Sequence, residues 1–285
     1  MGPPINSSLP AWRDETIALL KNSSDSPWLD AELLIEHVTG ASRTRQHQEP
    51  NGSLSSDNVL QLNVLRQRRI DGVPLAYILE TAHFWTLELN VSPAVLIPRP
   101  ETELLVERAL QVLTLEPSTA LDLGTGSGAI ALAIASERPG CTVLACDVSE
   151  SALIVARTNQ QKLQLRNVEL RHSNWFRAIG DQRFDVIVSN PPYIGKDDPY
   201  VQSDVRAYEP HLALFADDDG MQALQLIIQQ ASGYLKQHGW LLLEHGWQQA
   251  EKVQDLLESR GFDSVASHAD LAGHLRVTEA RFSSP

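Results

Sequence analysis

Cysteine is scarce in this chain: Cys141 and Cys146 are the only two in 285 residues. On an extended strand they would stand roughly 16 Å apart, well past the ~7 Å that a disulfide can bridge. No histidine joins them at metal-ligand spacing. A disulfide framework and a thiolate metal site are therefore excluded, and both cysteines read as packing residues. Long apolar runs are missing as well, and none approaches the roughly 18 residues needed to span a bilayer. The opening MGPPINSSLPAWRDE has no basic stretch ahead of an apolar one, so no signal peptide is expected and the cytoplasm is the expected location. Positive charge is in deficit. The net charge is −13, of which residues 1–80 carry −3 and residues 81–285 carry −10. Phosphate neutralisation supplies most non-specific nucleic-acid affinity, so direct DNA binding is not expected.

What is present is ordinary for a globular protein with a real core: 42% hydrophobic and 21% charged residues. The length allows a catalytic domain and a smaller one, and the pattern divides at 1–80, 81–98 and 99–285. Residues 1–80 read as a helical bundle. WLDAELLIEHVTG spaces Leu29, Leu33, Leu34 and Val38 for one helix face and stops at Gly40. SSDNVLQLNVLRQRRI offers Leu60, Val64 and Leu65, with Ser55, Ser56 and Asp57 as candidate caps. From Tyr77 to Leu96 the text turns to alternation, setting Phe84, Thr86 and Glu88 against Trp85, Leu87 and Leu89. That predicts a β-hairpin linker.

Beyond it, strands and helices take turns. Strands are predicted at 119–124, 142–147, 168–173, 184–190 and 239–246, with a terminal antiparallel pair near 262–267 and 275–282. Helices fall between them, including one from Gly128 to Glu137 and one from Met221 to about Gln237. Such alternation predicts a doubly wound, mostly parallel α/β sheet.

DLGTGSGAIALA, residues 122–133, is a strand that enters a glycine-rich turn and then a helix. Gly124, Gly126 and Gly128 leave no Cβ to block a ligand, and a helix start offers N–H groups to a carboxylate or phosphate. Asp147 ends the next strand, about 20 residues on, where a carboxylate can take ribose hydroxyls. The loop alone suits a nicotinamide dinucleotide as well as S-adenosylmethionine.

VIVSNPPYIG, residues 186–195, separates the two. Pro191 and Pro192 carry no backbone N–H, and they freeze the chain immediately after Asn190. The fourth strand of a doubly wound sheet pairs with the first at the switch point, so Asn190 should emerge beside the glycine loop. A dehydrogenase has no evident use for a rigid Asn-Pro-Pro-Tyr there. A transferase acting on a planar NH₂ group does. The Asn190 side-chain oxygen and the Pro191 carbonyl can each accept one N–H, with Tyr193 stacked on the flat group. Asn190, Pro191 and Tyr193 are thus the candidate catalytic residues, and Asn190 to Tyr193 the candidate substrate slot.

These residues resemble the bacterial release-factor glutamine methyltransferases. The likeness runs through DAELLIEHVTG, GVPLAYI, LIPRPETE, DLGTGSGAIALA, SNPPYI, EP with its downstream AL, and LLLEHG. The resemblance implies a seven-stranded, Rossmann-like class I methyltransferase sheet with S-adenosylmethionine as cofactor. The substrate it implies is the glutamine of the Gly-Gly-Gln motif in class 1 peptide chain release factors. It assigns Gly124, Thr125, Gly126, Ser127 and Gly128 to the cofactor, Asp147 to its ribose, Trp175 to its adenine, and Asn190 to cofactor and substrate together. An adenine-N6 methyltransferase shares the NPPY loop, but it would need a basic groove and a target-recognition domain, and neither is visible. Asn174 stands where the family usually has an acidic residue, and YILETAHFWTLEL lacks glycines common at this hairpin. Arg99, Glu101 and Glu103 read equally as helix-cap residues or as cofactor contacts. The acidic stretch 196–220 is long for a simple connection and is expected to cover the substrate. A monomer is expected.

Overall fold

The computed structural model describes residues 8–48, 52–113, 117–199, 201 and 203–283. The chain divides into two compact units between Glu80 and Thr81. The first is helical: α1 (Leu9–Leu20), α2 (Pro27–Thr39), α3 (Arg43–Gln48), α4 (Ser56–Ile70) and α5 (Leu75–Leu79). Gly40 closes α2 in the left-handed conformation, and its N–H returns to the Glu36 carbonyl. Ser55 caps α4 by accepting the Asn58 N–H. Both helix ends follow their local sequence. The buried faces follow it only in part: Leu34 is buried and Val38 and Leu65 pack against the core, but Leu29, Leu60 and Val64 are exposed, and Trp12, Ile35, Val59 and Leu62 complete the core. Each helix carries apolar residues on two neighbouring faces, and only the packing of the other helices selects one.

The second unit opens with a hairpin, β1 (Thr81–Phe84) and β2 (Leu87–Asn90). Trp85 adopts φ +57° at its tip, so Phe84 and Leu87 pair across the turn and both are buried. The expected alternation through Trp85 and Thr86 fails because those two residues are the turn itself. Tyr77 lies in α5, before the hairpin. Asn159, from a later helix, clasps β2, accepting the Asn90 N–H and donating to the Asn90 carbonyl.

The sheet follows: α6 (Glu103–Val112), β3 (Ser118–Leu123), α7 (Ala129–Glu137), β4 (Cys141–Asp147), α8 (Glu150–Lys162), β5 (Val168–His172) and β6 (Phe184–Ser189). A short pair, β7 (Ile194–Gly195) and β8 (Phe215–Ala216), brackets α9 (Ser203–Tyr208) and α10 (His211–Leu214). Then come α11 (Gln222–Ala231), β9 (Leu235–Glu244), α12 (Ala250–Ser259), β10 (Phe262–Ala269) and β11 (Leu275–Phe282). Seven strands form one sheet in the order β10-β11-β9-β6-β3-β4-β5. Those from β9 to β5 are parallel, and β11 is antiparallel to both its neighbours. This is the doubly wound, mostly parallel sheet of seven strands that the sequence leads one to expect.

Successive residues of each strand serve opposite faces. Ala120, Val186 and Val188 pack with α6 and α7, whereas Leu121, Leu123 and Ile187 pack with α11 and α12. α11 ends at Ala231, short of the predicted Gln237, because Ser232 and Gly233 break it and Leu235 already pairs with Phe184.

Candidate active site

Register places the site. Leu123 at the end of β3 is flanked by Cys146 of β4 on one side and Ser189 of β6 on the other. The next residues, Gly124, Asp147 and Asn190, therefore leave three adjacent parallel strands together, at the switch point where such sheets bind ligands.

The glycine loop is tied down from within. The N–H groups of Gly124 and Thr125 both donate to the Cys146 carbonyl, and the Gly128 N–H donates to the Thr125 carbonyl. The Gly126 N–H donates to Asp147 Oδ2 at 2.8 Å. With these four donors spent internally, the loop is poor in groups for a pyrophosphate, which weighs against the dinucleotide alternative. Gly128 also differs from its expected role. It does not line the cavity, and a Cβ there would lie 2.9 Å from Leu132 Cδ1. Close packing of the turn on α7 requires that glycine.

Asp122 supports the loop from below, and sequence inspection passed it over. Its buried Oδ2 accepts the Thr125 hydroxyl at 2.6 Å, while Oδ1 is buried without a hydrogen-bond partner. Burial pushes its pKa up to about 7; the Thr125 hydroxyl opposes that rise and the Asp147 charge adds to it. Asp147 is also raised by burial, against the N–H groups of Ser149 and Gly126 that favour its charge.

A cavity of about 410 Å³ opens above these strand ends. Gly124, Thr125, Gly126, Ser127, Asp147, Trp175, Asn190 and Pro192 all line it, so most of the predicted site residues converge. Trp175 adopts φ +51°, and its ring would lie 3.7 Å from a Cβ on Gly124. Pro191 and Tyr193 stand outside the lining. Tyr193 turns its hydroxyl to Glu244 Oε1 at 3.1 Å and packs on the α11–α12 side of the sheet, so its ring is not presented to the cavity as expected.

The stretch 196–220 contributes Pro210, Leu212, Ala213, Phe215 and Ala216 to the opposite wall; its Tyr200 and Gln202 lie outside the described residues. Glu209 anchors this stretch. Its buried carboxylate pairs with Arg99 and accepts the Ile97 N–H. Arg99 thus lines the cavity while tied to Glu209, and Glu103 accepts the Trp85 N–H at the hairpin tip. Glu101 is exposed. Asn190 Nδ2 donates to Thr102 Oγ1 at 3.1 Å, and no hydrogen bond among the described residues uses its Oδ1. The EP and LLLEHG motifs contained Glu209 and Glu244, but nothing local to either segment showed what they would touch.

Comparisons with known proteins bear on the family and the fold. A family model described as "PrmC N-terminal domain" matches residues 11–79, and one described as "Methyltransferase small domain" matches residues 100–204. The release factor glutamine methyltransferase of Escherichia coli is 46% identical over 271 residues, covering 95% of this chain and 98% of its own length. This chain belongs to the release factor glutamine methyltransferase family. The member from Salmonella typhimurium is 48% identical over 272 residues, with the same two coverages. Among solved structures, a methyltransferase from Pyrococcus furiosus superposes with a TM-score of 0.54 at 21% identity, covering 70% of this chain and 91% of its own. That likeness concerns the fold.

The family's cofactor is S-adenosylmethionine, and the residues present fit it. The cavity volume lies within the usual ligand range of roughly 300–1,000 Å³. A Cβ on Gly126 would meet nothing within 4 Å, so the loop leaves open space on its cavity side. Each Asp147 oxygen holds one backbone N–H and keeps lone-pair capacity for a hydroxyl. Among the described residues no group of histidine, cysteine and carboxylate side chains could hold a metal ion, and no helix is long and apolar enough to cross a membrane.

Proposed function

We propose that this chain methylates the side-chain amide nitrogen of the glutamine in the Gly-Gly-Gln motif of class 1 peptide chain release factors, in the cytoplasm. One observation carries the proposal: Asn190 leaves β6 beside the glycine loop of β3, in one cavity, with its Oδ1 uncommitted. An amide nitrogen is a weak nucleophile because its lone pair is shared with the carbonyl. Asn190 Oδ1 and the Pro191 carbonyl are the groups assigned to accept its two N–H bonds, which orients the nitrogen and favours electron density on it as the new bond forms. Bound S-adenosylmethionine would supply an electrophilic methyl group on a sulfonium: the C–S bond breaks to leave a neutral thioether as the N–C bond forms, and the excess amide proton is lost to solvent afterwards. The diproline holds both acceptors without rearrangement. Trp175 and Asp147 are assigned to the adenine and ribose, and Gly124 to Ser127 to the rest of the cofactor.

The helical unit, up to Glu80, is assigned to recognition of the folded release factor, because no strand of the methyltransferase sheet comes from it. Transfer of radiolabelled methyl from S-adenosylmethionine to an intact release factor tests the proposal. Label should appear on the wild-type factor and vanish when the motif glutamine is replaced by alanine. Incorporation into double-stranded DNA instead would establish an adenine methyltransferase and overturn the proposal.

A further inference from the structure

The Asn190 amide can be turned by 180° with little change in shape, exchanging its carbonyl oxygen for an NH₂ group. Only the oxygen can accept from a substrate amide. An NH₂ group in that place would set donors against donors. What decides between the two orientations is therefore part of the catalyst, and it lies outside the NPPY loop.

Thr102, on the turn that leads into α6, is buried and accepts Asn190 Nδ2–H at 3.1 Å. A threonine hydroxyl on its own does not choose. It can accept from the NH₂ end of the amide or donate to the oxygen end. Glu244, at the end of β9, removes the ambiguity. It is fully buried, its Oε1 takes the Tyr193 hydroxyl at 3.1 Å, and its Oε2 is buried without a hydrogen-bond partner. Burial disfavours the charge on this carboxylate, and the neighbouring Thr102 and Tyr193 hydroxyls oppose that effect. Above its pKa of about 7 the carboxylate is ionised and can only accept, and Oε2, with no other partner, is the acceptor open to the single Thr102 hydrogen. The threonine oxygen is then left only able to accept, and the NH₂ end of Asn190 must turn to it.

We infer that Thr102 and Glu244 are positioning residues for methyl transfer, holding Asn190 with its Oδ1 towards the reacting amide. This rests on the assignment of Asn190 as acceptor for the substrate glutamine. Neither residue lies on the NPPY loop: Thr102 is 88 positions from Asn190, and Glu244 is 51 from Tyr193.

Thr102→Val and Glu244→Gln, each close in shape to the native residue, test the inference beside Thr102→Ser. Burial pushes Glu244 up to about 7, so measurements at a pH well above that keep the carboxylate ionised. Cofactor affinity by calorimetry should stay within several-fold in all three. The kcat on intact release factor should fall by roughly tenfold or more in Thr102→Val and Glu244→Gln with KM little changed, since orientation is lost and binding is not. Thr102→Ser should recover most of that loss. Independently of activity, the ¹⁵N order parameter of the Asn190 side-chain amide should be high in the wild type and Thr102→Ser and fall in the other two. An unchanged order parameter in Thr102→Val and Glu244→Gln overturns the inference, as does a kcat loss matched by equal loss of cofactor affinity. If the order parameters respond as expected while Asn190→Ala keeps full turnover, the assignment of Asn190 fails instead.

Discussion

The Gly126 N–H donates to Asp147 Oδ2 at 2.8 Å, joining the glycine loop after β3 to the carboxylate that ends β4. Asp147 therefore shapes the loop, and on the proposed assignment its remaining lone pairs take the ribose hydroxyls. Asp147→Ala should weaken S-adenosylmethionine by at least tenfold, because both the ribose partner and the loop tether disappear. The bond to ribose is equal in ground and transition states, so kcat at saturating cofactor should change far less. Calorimetry that finds unaltered cofactor affinity would remove Asp147 from the site.

Asn190→Ala should show the opposite pattern. On the proposed assignment its contact to the reacting amide strengthens during transfer, and one such lost acceptor costs roughly 3 kcal/mol, or about 100-fold in turnover. Cofactor affinity should stay within several-fold. Single-turnover kinetics near the wild-type rate would refute the assigned role.

Asp122 gives the fold a pH signature. Its folded pKa of about 7 lies above the ordinary carboxylate value near 4. Between those values the folded state holds a proton that the unfolded state has released. The contribution of Asp122 is thus fully present below about pH 4 and lost as pH rises through about 7. Asp122→Asn removes this titration. Subtracting the variant's unfolding free energy from that of the wild type should give a difference that declines between pH 5 and 8, by an amount on the order of a few kcal/mol. Denaturation curves showing a flat difference would mean that the carboxyl is not protonated in the fold.

Gly220 adopts φ +83°, and a Cβ there would sit 2.0 Å from the Tyr193 carbonyl oxygen. Gly220→Ala must therefore push the turn before α11 away from the NPPY loop. Stability should fall by about 1–3 kcal/mol, and turnover should drop with it, since Gln222 and Ala223 line the cavity. Urea unfolding with the wild-type midpoint would show that the two segments are not in contact.

A fragment beginning at Thr81 retains the glycine loop, Asp147 and Asn190, and should still bind S-adenosylmethionine. Its methylation of intact release factor should fall steeply, mainly through KM, while weak activity on a short Gly-Gly-Gln peptide should change much less. Retained cofactor binding is the control for folding. Wild-type efficiency on the full-length factor would show that the helical unit is not the recognition element.

Much of this protein is local in origin and therefore legible in the chain alone. Strand-helix alternation, the glycine turn at 124–128, the rigid Asn-Pro-Pro at 190–192 and the Gly40 and Ser55 helix ends all depend on residues within a few positions of one another. Backbone conformation and side-chain period act at that range. The pairing of the strand that ends at Ser189 with the one that ends at Leu123 also follows, because doubly wound sheets allow few orders. The tertiary structure decided what depends on distant partners. It chose Val59 and Leu62 over Leu60 and Val64, since either face of α4 is apolar enough and only the neighbouring helices break the tie. It turned Tyr193 from the expected substrate platform to Glu244, and it joined Glu209 to Arg99 and Thr102 to Asn190. A hydrogen bond between residues 50 to 110 positions apart leaves no periodicity and no spacing in the sequence. It exists only once the sheet has set the ends of β3, β6 and β9 side by side.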